Sequence, residues 1–372
     1  MISLKEITFQ KGIKDFVTFP FRLYKNNQYW VPPIISEEIS NFDPTKNPVF
    51  KHASAQYFIA YKNNEPVGRV AAIINKKETE EQGFKKMRFG WFDVIDDIEV
   101  TQVLINKVAE IGKANNLEFM EGPVGFSNLD KVGVLTEGFD YRGTMITWYN
   151  HPYYKTHFKQ LGFYVGKQYR EHITLFKNVP VDKLSRMNKM ISSRYNLTTL
   201  NFTKTSQIMP HVDEMFDLFN ESYSELASFV PISNDQKAYF KKKFIGFINP
   251  EFIKFVVDKD HKIVAFAITL PSFSKALQKA KGKLWPFGVF HLLRAKKKNE
   301  DVILYLIGVH PTYRNKGVTA LIMHAYATTY KDFGIKRMIR TPELEENETA
   351  RRIWKDYQDL NHKRRCTFKK DL

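Results

Sequence analysis

A chain of 372 residues is long enough for two ordinary domains, and 43% hydrophobic with 15% aromatic residues marks it as globular rather than disordered. The single cysteine, Cys366, excludes an internal disulfide and any cysteine-rich zinc site, and it fits a reducing, cytoplasmic placement with no metal. A formal net charge of +17 calls for anionic company, and nucleic acid, an anionic membrane surface and anionic small ligands compete for it. The basic clusters at 275–283, 294–298 and 362–370 follow no zinc-finger spacing and no RNP-like strand, so a nucleic-acid partner is not expected. No stretch reaches the ~20 apolar residues of a membrane helix. The opening MISLKEITFQ lacks the apolar run of a signal peptide.

Along the first half, residues 2–9 read as a strand and 14–25 as a helix. Residues 56–61 and 66–75 form a hairpin pattern around Asn63-Asn64-Glu65. Residues 88–94 read as a strand, 100–115 as an amphipathic helix and 117–121 as a strand. A helix over 152–161 and a strand running to 176 complete the half. Residues 178–195 predict a connecting helix after Pro180.

The second half begins with a strand at 196–203. Two helices follow, over 208–227 and 233–246, the second with Ser233 as its N-cap. Strands at 252–257 and 262–270 flank a turn at 258–261, and the basic segment 282–298 precedes a strand from 303. A helix over 319–333 with Gly334 as C-cap, a strand at 336–341, a helix ending near 360 and a strand at 364–369 close the chain. The order β-α-α-β-β-β-α-β-α-β of this half is repeated loosely by the first, an internal repeat of ~180 residues. The predicted division is 1–177, a connecting helix 178–195, and 196–372.

Residues 303–319, ILYLIGVHPTYRNKGVT, carry the most chemistry. A β-branched run ends at Val309, a turn holds Pro311, and Arg314-Asn-Lys-Gly317-Val-Thr319 opens a helix. First-turn amides have no partners inside their helix and sit at its positive end, so this corner suits a phosphate. Gly317 permits close backbone approach, while Arg314 and Lys316 add charge. The equivalent stretch of the first half, Ile95-Asp-Asp-Ile-Glu99, offers carboxylates and no Gly, Arg or Lys, so it would repel a phosphate.

Arg314-x-x-Gly317-x-Thr319 resembles the pyrophosphate element of the GNAT superfamily of acyl-CoA-dependent N-acyltransferases, with Thr in place of the last Gly or Ala. Asn347 and Ala350 match a second family pattern, in which Trp354 stands where Tyr is expected and Tyr357 lies one turn later. The resemblance implies a mixed-sheet α/β fold built from two tandem GNAT-like units, the first degenerate and the second holding acetyl-CoA or another acyl-CoA. It implies direct transfer to an amine acceptor in a ternary complex, without an acyl-enzyme. Cofactor contacts would fall on Ile307, Gly308, Val309, Arg314, Asn315, Lys316, Gly317, Val318, Thr319 and Asn347, with a bulge allowed by Gly308. Loops 121–128 and 137–140 resemble segments of a bacterial double-GNAT group.

Amide formation needs a deprotonated amine, a stabilised oxyanion and a protonated leaving thiolate. Tyr357 is the candidate acid at sulfur, or else an ordinary helix aromatic. The base falls among Glu343, Glu345, Glu346, His310, Tyr305 and bound water. Asn128, Glu137 and Asp140, among glycines on loops, either touch the acceptor or serve the turns. The aromatic-basic segment 282–298 either covers the core, covers a long acyl chain or makes peripheral contact with a membrane. Long-chain acyl transfer at a membrane surface and a non-catalytic binding protein for nucleic acid or anionic surfaces that keeps the fold are the alternative functions.

Overall fold

The computed structural model of this protein describes residues 1–127, 129–226, 229–245, 247–355 and 357–372. The first half runs β1 (Ile2–Ile7), α1 (Ile13–Leu23), α2 (Ile35–Asn41), β2 (Ala53–Lys62), β3 (Glu65–Asn75) and β4 (Lys86–Val94). It continues with α3 (Ile98–Ala114), β5 (Phe119–Gly122), β6 (Val134–Glu137), α4 (Tyr153–Gln160) and β7 (Tyr164–Leu175). Helix α5 (Val181–Tyr195) leads into β8 (Thr198–Asn201), α6 (Thr205–Ile208), α7 (Val212–Tyr223), α8 (Asn234–Phe240), β9 (Ile253–Val257) and β10 (Ile263–Pro271). The remainder is α9 (Ser274–Ala280), α10 (Gly288–Lys297), β11 (Asp301–Val309), α11 (Thr319–Asp332), β12 (Arg337–Leu344), α12 (Glu348–Trp354) and β13 (Asp359–Asp371).

Local chemistry explains many boundaries. Lys62 pairs with Glu65 across a two-residue loop whose Asn63 and Asn64 adopt φ 53° and 62°, the left-handed values that such a tight hairpin demands and Asn tolerates. Ser233 caps α8 reciprocally with Gln236, as the helix-start pattern predicts. Gly334 stands at φ 66° just past α11. Helices α7 and α8 are shorter than the apolar periodicity suggests. The segment between β10 and β11 holds two helices where the sequence pattern shows only charge and aromatics. β4 and β10 are buried at every position, as strands covered on both faces are.

The strands make one continuous mixed sheet in the order β1-β2-β3-β4-β5-β13-β7-β12-β11-β10-β9-β8, with β6 alongside β13. Each half contributes an antiparallel run, a crossover helix and a parallel partner: β4 with β5, and β11 with β12. The strands that follow are exchanged. β7, from the first half, pairs with β12, whereas β13, from the second, pairs with β5, and the two exchanged strands pair with each other. Phe368 and Cys366 of β13 therefore lie in the core of the first half, with Met87, Phe89, Leu104 and Phe158. Helix α5 buries Leu184 and Ile191 in the core of the second half, against α11.

Candidate active site

β11 and β12 are hydrogen-bonded in parallel only from Asp301–Arg337 to Leu304–Arg340. Beyond that point β11 stays with β10 and β12 stays with β7, so a wedge opens between them. The register of β11 slips where Tyr305 is inserted, between the Thr269–Leu304 and Ile268–Leu306 pairs. The bulge thus falls at Tyr305 and not at Gly308, as the sequence suggested. Gly308 answers a packing demand instead: a Cβ there would lie 2.3 Å from the Phe266 ring.

In a regular antiparallel strand a residue's N–H and C=O point to the same side. His310 N–H donates to Val264 on β10, so residues 307 and 309 face the wedge. Their carbonyls are already engaged: the Tyr223 hydroxyl donates to Ile307 O at 2.9 Å, and Ser222 Oγ donates to Val309 O at 3.2 Å. What this edge offers an incoming chain is its amides.

After β11, residues 311–313 make one tight turn, and Asn315 and Gly317 adopt φ 61° and 76°. Gly317 leans on Ile191 of α5, whose Cδ1 would be 2.7 Å from an added Cβ. Among the described residues no backbone carbonyl accepts from the amides of Asn315, Gly317, Val318 or Thr319. Val318 itself is buried. Arg314 is tied to the end of α7, pairing with Glu225 and donating to Ser222 O at 3.0 Å. Lys316 Nζ lies 5.0 Å and 5.4 Å from the ring centres of Tyr313 and Tyr195.

The corresponding corner of the first half is closed. Asp97 caps α3 through the Glu99 N–H and pairs with Lys62 at 2.8 Å, and the hydrogen bond from Lys62 holds its carboxyl below the ordinary range. Asp96 takes His157 at 3.1 Å. A Cβ on Gly90 would strike the Val124 carbonyl at 2.3 Å and approach Trp148, so the strand edge is filled by protein.

Two carboxyl groups border the open wedge. Glu343, on β12 beyond the parting point, has its pKa pushed up to about 7 by burial, against the pull of Arg340. It accepts a hydrogen bond from Trp354 and lies 3.7 Å from Arg340. Its charge helps to raise Tyr223, whose burial takes it to about 12. Asp130 comes from the loop after β5; burial raises its pKa too, although Ser127 donates to it from N at 2.8 Å and Oγ at 3.1 Å. The residue itself is exposed, and it stands at the rim of a cavity of about 140 Å³. That cavity is walled mostly by apolar side chains from both halves, among them Val49, Phe126, Phe216, Ile245 and Ile248, and by Tyr305 and Leu306 at the bulge.

Of the sequence-derived residues, the fold brings Ile307, Gly308, Val309 and 314–319 to one end of the wedge. Asn347 opens α12, its carbonyl accepting from Arg351. Tyr357 packs its ring on Trp354 at 5.2 Å, one ring beyond Glu343. Glu137 lies 3.4 Å from Arg364 on the neighbouring strand, and neither it nor Asp140 lines the cavity. Asn128 lies outside the described residues. Sequence reasoning missed Asp130, although it stands in the same glycine-rich loop, and it missed Ser222, Tyr223 and Glu225, which no motif marks. No helix among the described residues is long and apolar enough to cross a membrane.

A parted pair of parallel strands, a phosphate-suited helix start and an internal repeat define an acyltransferase of tandem-like build. Comparison with known proteins agrees: residues 212–357 match the family described as Acetyltransferase (GNAT) family, which supports a place for this chain in the GNAT superfamily. A tandem GNAT protein from the clavulanic acid biosynthesis pathway superposes over 100% of this chain and 98% of its own, with TM-score 0.54 and 9% identity. A GCN5-related N-acetyltransferase from Sphaerobacter thermophilus does so over 100% and 95%, with TM-score 0.51 and 8% identity. These two likenesses show the fold. In sequence, the chain is 25% identical to Protein YghO of Escherichia coli (strain K12) over 90% of this chain and 85% of that one. It is 24% identical to the bacterial ceramide synthase of Caulobacter vibrioides over 97% and 95%.

Proposed function

We propose that this protein transfers an acyl group from acyl-CoA to the amine of an amphiphilic acceptor, such as a long-chain amino alcohol. The observation that carries the reading is the apolar cavity that meets the wedge at Tyr305 and Leu306. A polar amine would gain nothing from such walls, whereas each buried methylene contributes about 0.8 kcal/mol. The likeness to a ceramide synthase supports the same acceptor class, since a ceramide is the amide of a fatty acid and a long-chain amino alcohol.

In this reading the pyrophosphate rests on the amides of Asn315, Gly317, Val318 and Thr319, flanked by the Lys316 side chain, and the pantetheine follows the amides of Ile307 and Val309. Glu343, near neutral pKa, takes the proton as the amine attacks the thioester carbon. Collapse of the tetrahedral adduct expels the CoA thiolate, which takes a proton from Tyr357. Arg314 positions the loop by holding it to α7 rather than by meeting the ligand. A single ternary complex suffices, because the Cys366 thiol is buried and raised to about 11 by that burial.

Purified protein incubated with acetyl-CoA or palmitoyl-CoA and either sphinganine or spermidine tests this. The expected outcome is amide product with sphinganine, detected by mass spectrometry, and at least about tenfold less with spermidine, the discrimination that two buried methylenes supply. Equal acylation of spermidine, or CoA binding with no amide from sphinganine, overturns the acceptor assignment. The preferred donor follows from the same four reactions.

A further inference from the structure

Helix α10 and the turn before it are apolar on two sides. Leu292 faces inward with Phe273, Ala276 and Leu277, and Gly288 is buried beside Ala280. Phe287, Phe290 and Leu293, one helical turn apart, face outward with Trp285. Apart from the terminal Met1, Trp285 (75% exposed), Phe287 (70%) and Phe290 (63%) are the most exposed large apolar side chains among the described residues. A stripe of this kind costs solubility unless something covers it.

The surroundings of the stripe select what covers it. Residues 274–299 hold eight lysines and arginines and no aspartate or glutamate. Lys275, Lys279, Lys281, Lys283, Arg294, Lys297 and Lys298 are all exposed. A second copy of the chain, docked by two-fold symmetry, would set this basic field against itself. An acidic protein or nucleic acid would satisfy the charge and leave the aliphatic part of the stripe unused. An anionic bilayer satisfies both: the stripe enters the headgroup-acyl boundary while the lysines meet the phosphates. The patch also touches the cavity's rim. Phe247, between the cavity residues Ile245 and Ile248, lies 5.0 Å from Phe273 and 5.7 Å from Lys296 Nζ.

We propose that residues 284–298 dock this protein on anionic lipid bilayers, with Trp285, Phe287, Phe290 and Leu293 inserted and the flanking lysines on the headgroups. The inference is independent of the acceptor proposed above, because binding is read without acyl-CoA or amine. The test is sedimentation of the full chain with phosphatidylcholine vesicles, with and without about a third of phosphatidylglycerol. Binding is expected only with the anionic lipid. Lys296→Ala/Lys297→Ala/Lys298→Ala should weaken it by about a hundredfold at low salt, at about fivefold per lysine. Trp285→Ser/Phe290→Ser should weaken it at least tenfold, with the thermal transition unchanged because both side chains are exposed. In wild type, brominated lipid should quench the fluorescence, and Trp285→Phe should remove most of that quenching. Absence of binding to anionic vesicles, or binding that the serine variant leaves intact, overturns the proposal. So does a concentration-dependent dimer that the serine variant dissolves, or single-stranded DNA binding of equal strength to vesicle binding.

Discussion

At the scale of single residues, Glu343 is the group whose state decides the chemistry. Burial raises its pKa from the ordinary 4.5 to about 7, so near neutrality it exchanges a proton with little driving force either way. Activity should rise with pH through a midpoint about 7 as the carboxylate forms. Glu343→Gln should remove that limb and lower kcat by about 10²–10⁴-fold, the usual worth of a general base. The same shift has a stability consequence of opposite sign. Below pH 4.5 the folded and unfolded chains are both protonated at this position. Between 4.5 and about 7 the folded form keeps a proton that the unfolded form has lost, so stability falls as pH rises. Above 7 the whole loss is in place, at most about 3 kcal/mol for two and a half pK units. Glu343→Gln imitates the protonated form. Denaturant titrations should therefore find it more stable than wild type at pH 8 and equal to it at pH 4. A wild-type pH profile flat from 6 to 8 would remove Glu343 from the mechanism.

At the scale of elements, the two helix starts after β4 and β11 hold opposite chemistry in the same topological place. α3 carries the Asp97 carboxylate at its N-cap, while before α11 and at its first residue the amides of Asn315, Gly317, Val318 and Thr319 meet no backbone carbonyl among the described residues, with Lys316 nearby. Calorimetric titration with CoA should find one site per chain. Lys316→Ala should weaken that site by about 1–2 kcal/mol, as the loss of one charge-assisted contact does. Arg314→Ala should weaken it through the loop, with faster proteolysis between 310 and 318 as its signature. Two equal sites, or one site indifferent to Lys316, would contradict the assignment. This contrast was legible in the sequence because strand, turn and helix start lie within seventeen consecutive residues, and Gly, Arg and Asp act there through local backbone chemistry. The cavity was not legible. Its walls come from Val49, Asp130, Phe216 and Tyr305, which no periodicity relates, and Asp130 looks like any turn carboxylate because only the fold places it in one lining with Tyr305. The bulge at Tyr305 likewise depends on how β10 meets β11, which the sequence of either strand alone does not state.

At the scale of the whole molecule, the internal repeat was legible as an order of elements, but strand exchange was not, because the alternation of a strand marks its faces and never its neighbour. β7 and β13 each complete the other half's sheet. The consequence is that the division at 178–195 is a boundary in sequence but not in hydrogen bonding. Residues 1–177 alone would leave β5 without β13 and open the core that Phe368 fills. Residues 178–372 alone would leave β12 without β7. The central joint also buries Glu171 against Arg365 across the β7–β13 pair, and a buried ion separated from its partner typically costs about 3–5 kcal/mol. Each half expressed by itself should therefore be insoluble or lack cooperative unfolding, and co-expression of the two should restore a soluble complex. The intact chain should unfold in urea as one transition, coincident by tryptophan fluorescence and circular dichroism, because neither core survives the loss of the other's strand. A half that unfolds cooperatively on its own would show that the exchanged strand is dispensable to it, and the sheet would then have to be two sheets in contact rather than one.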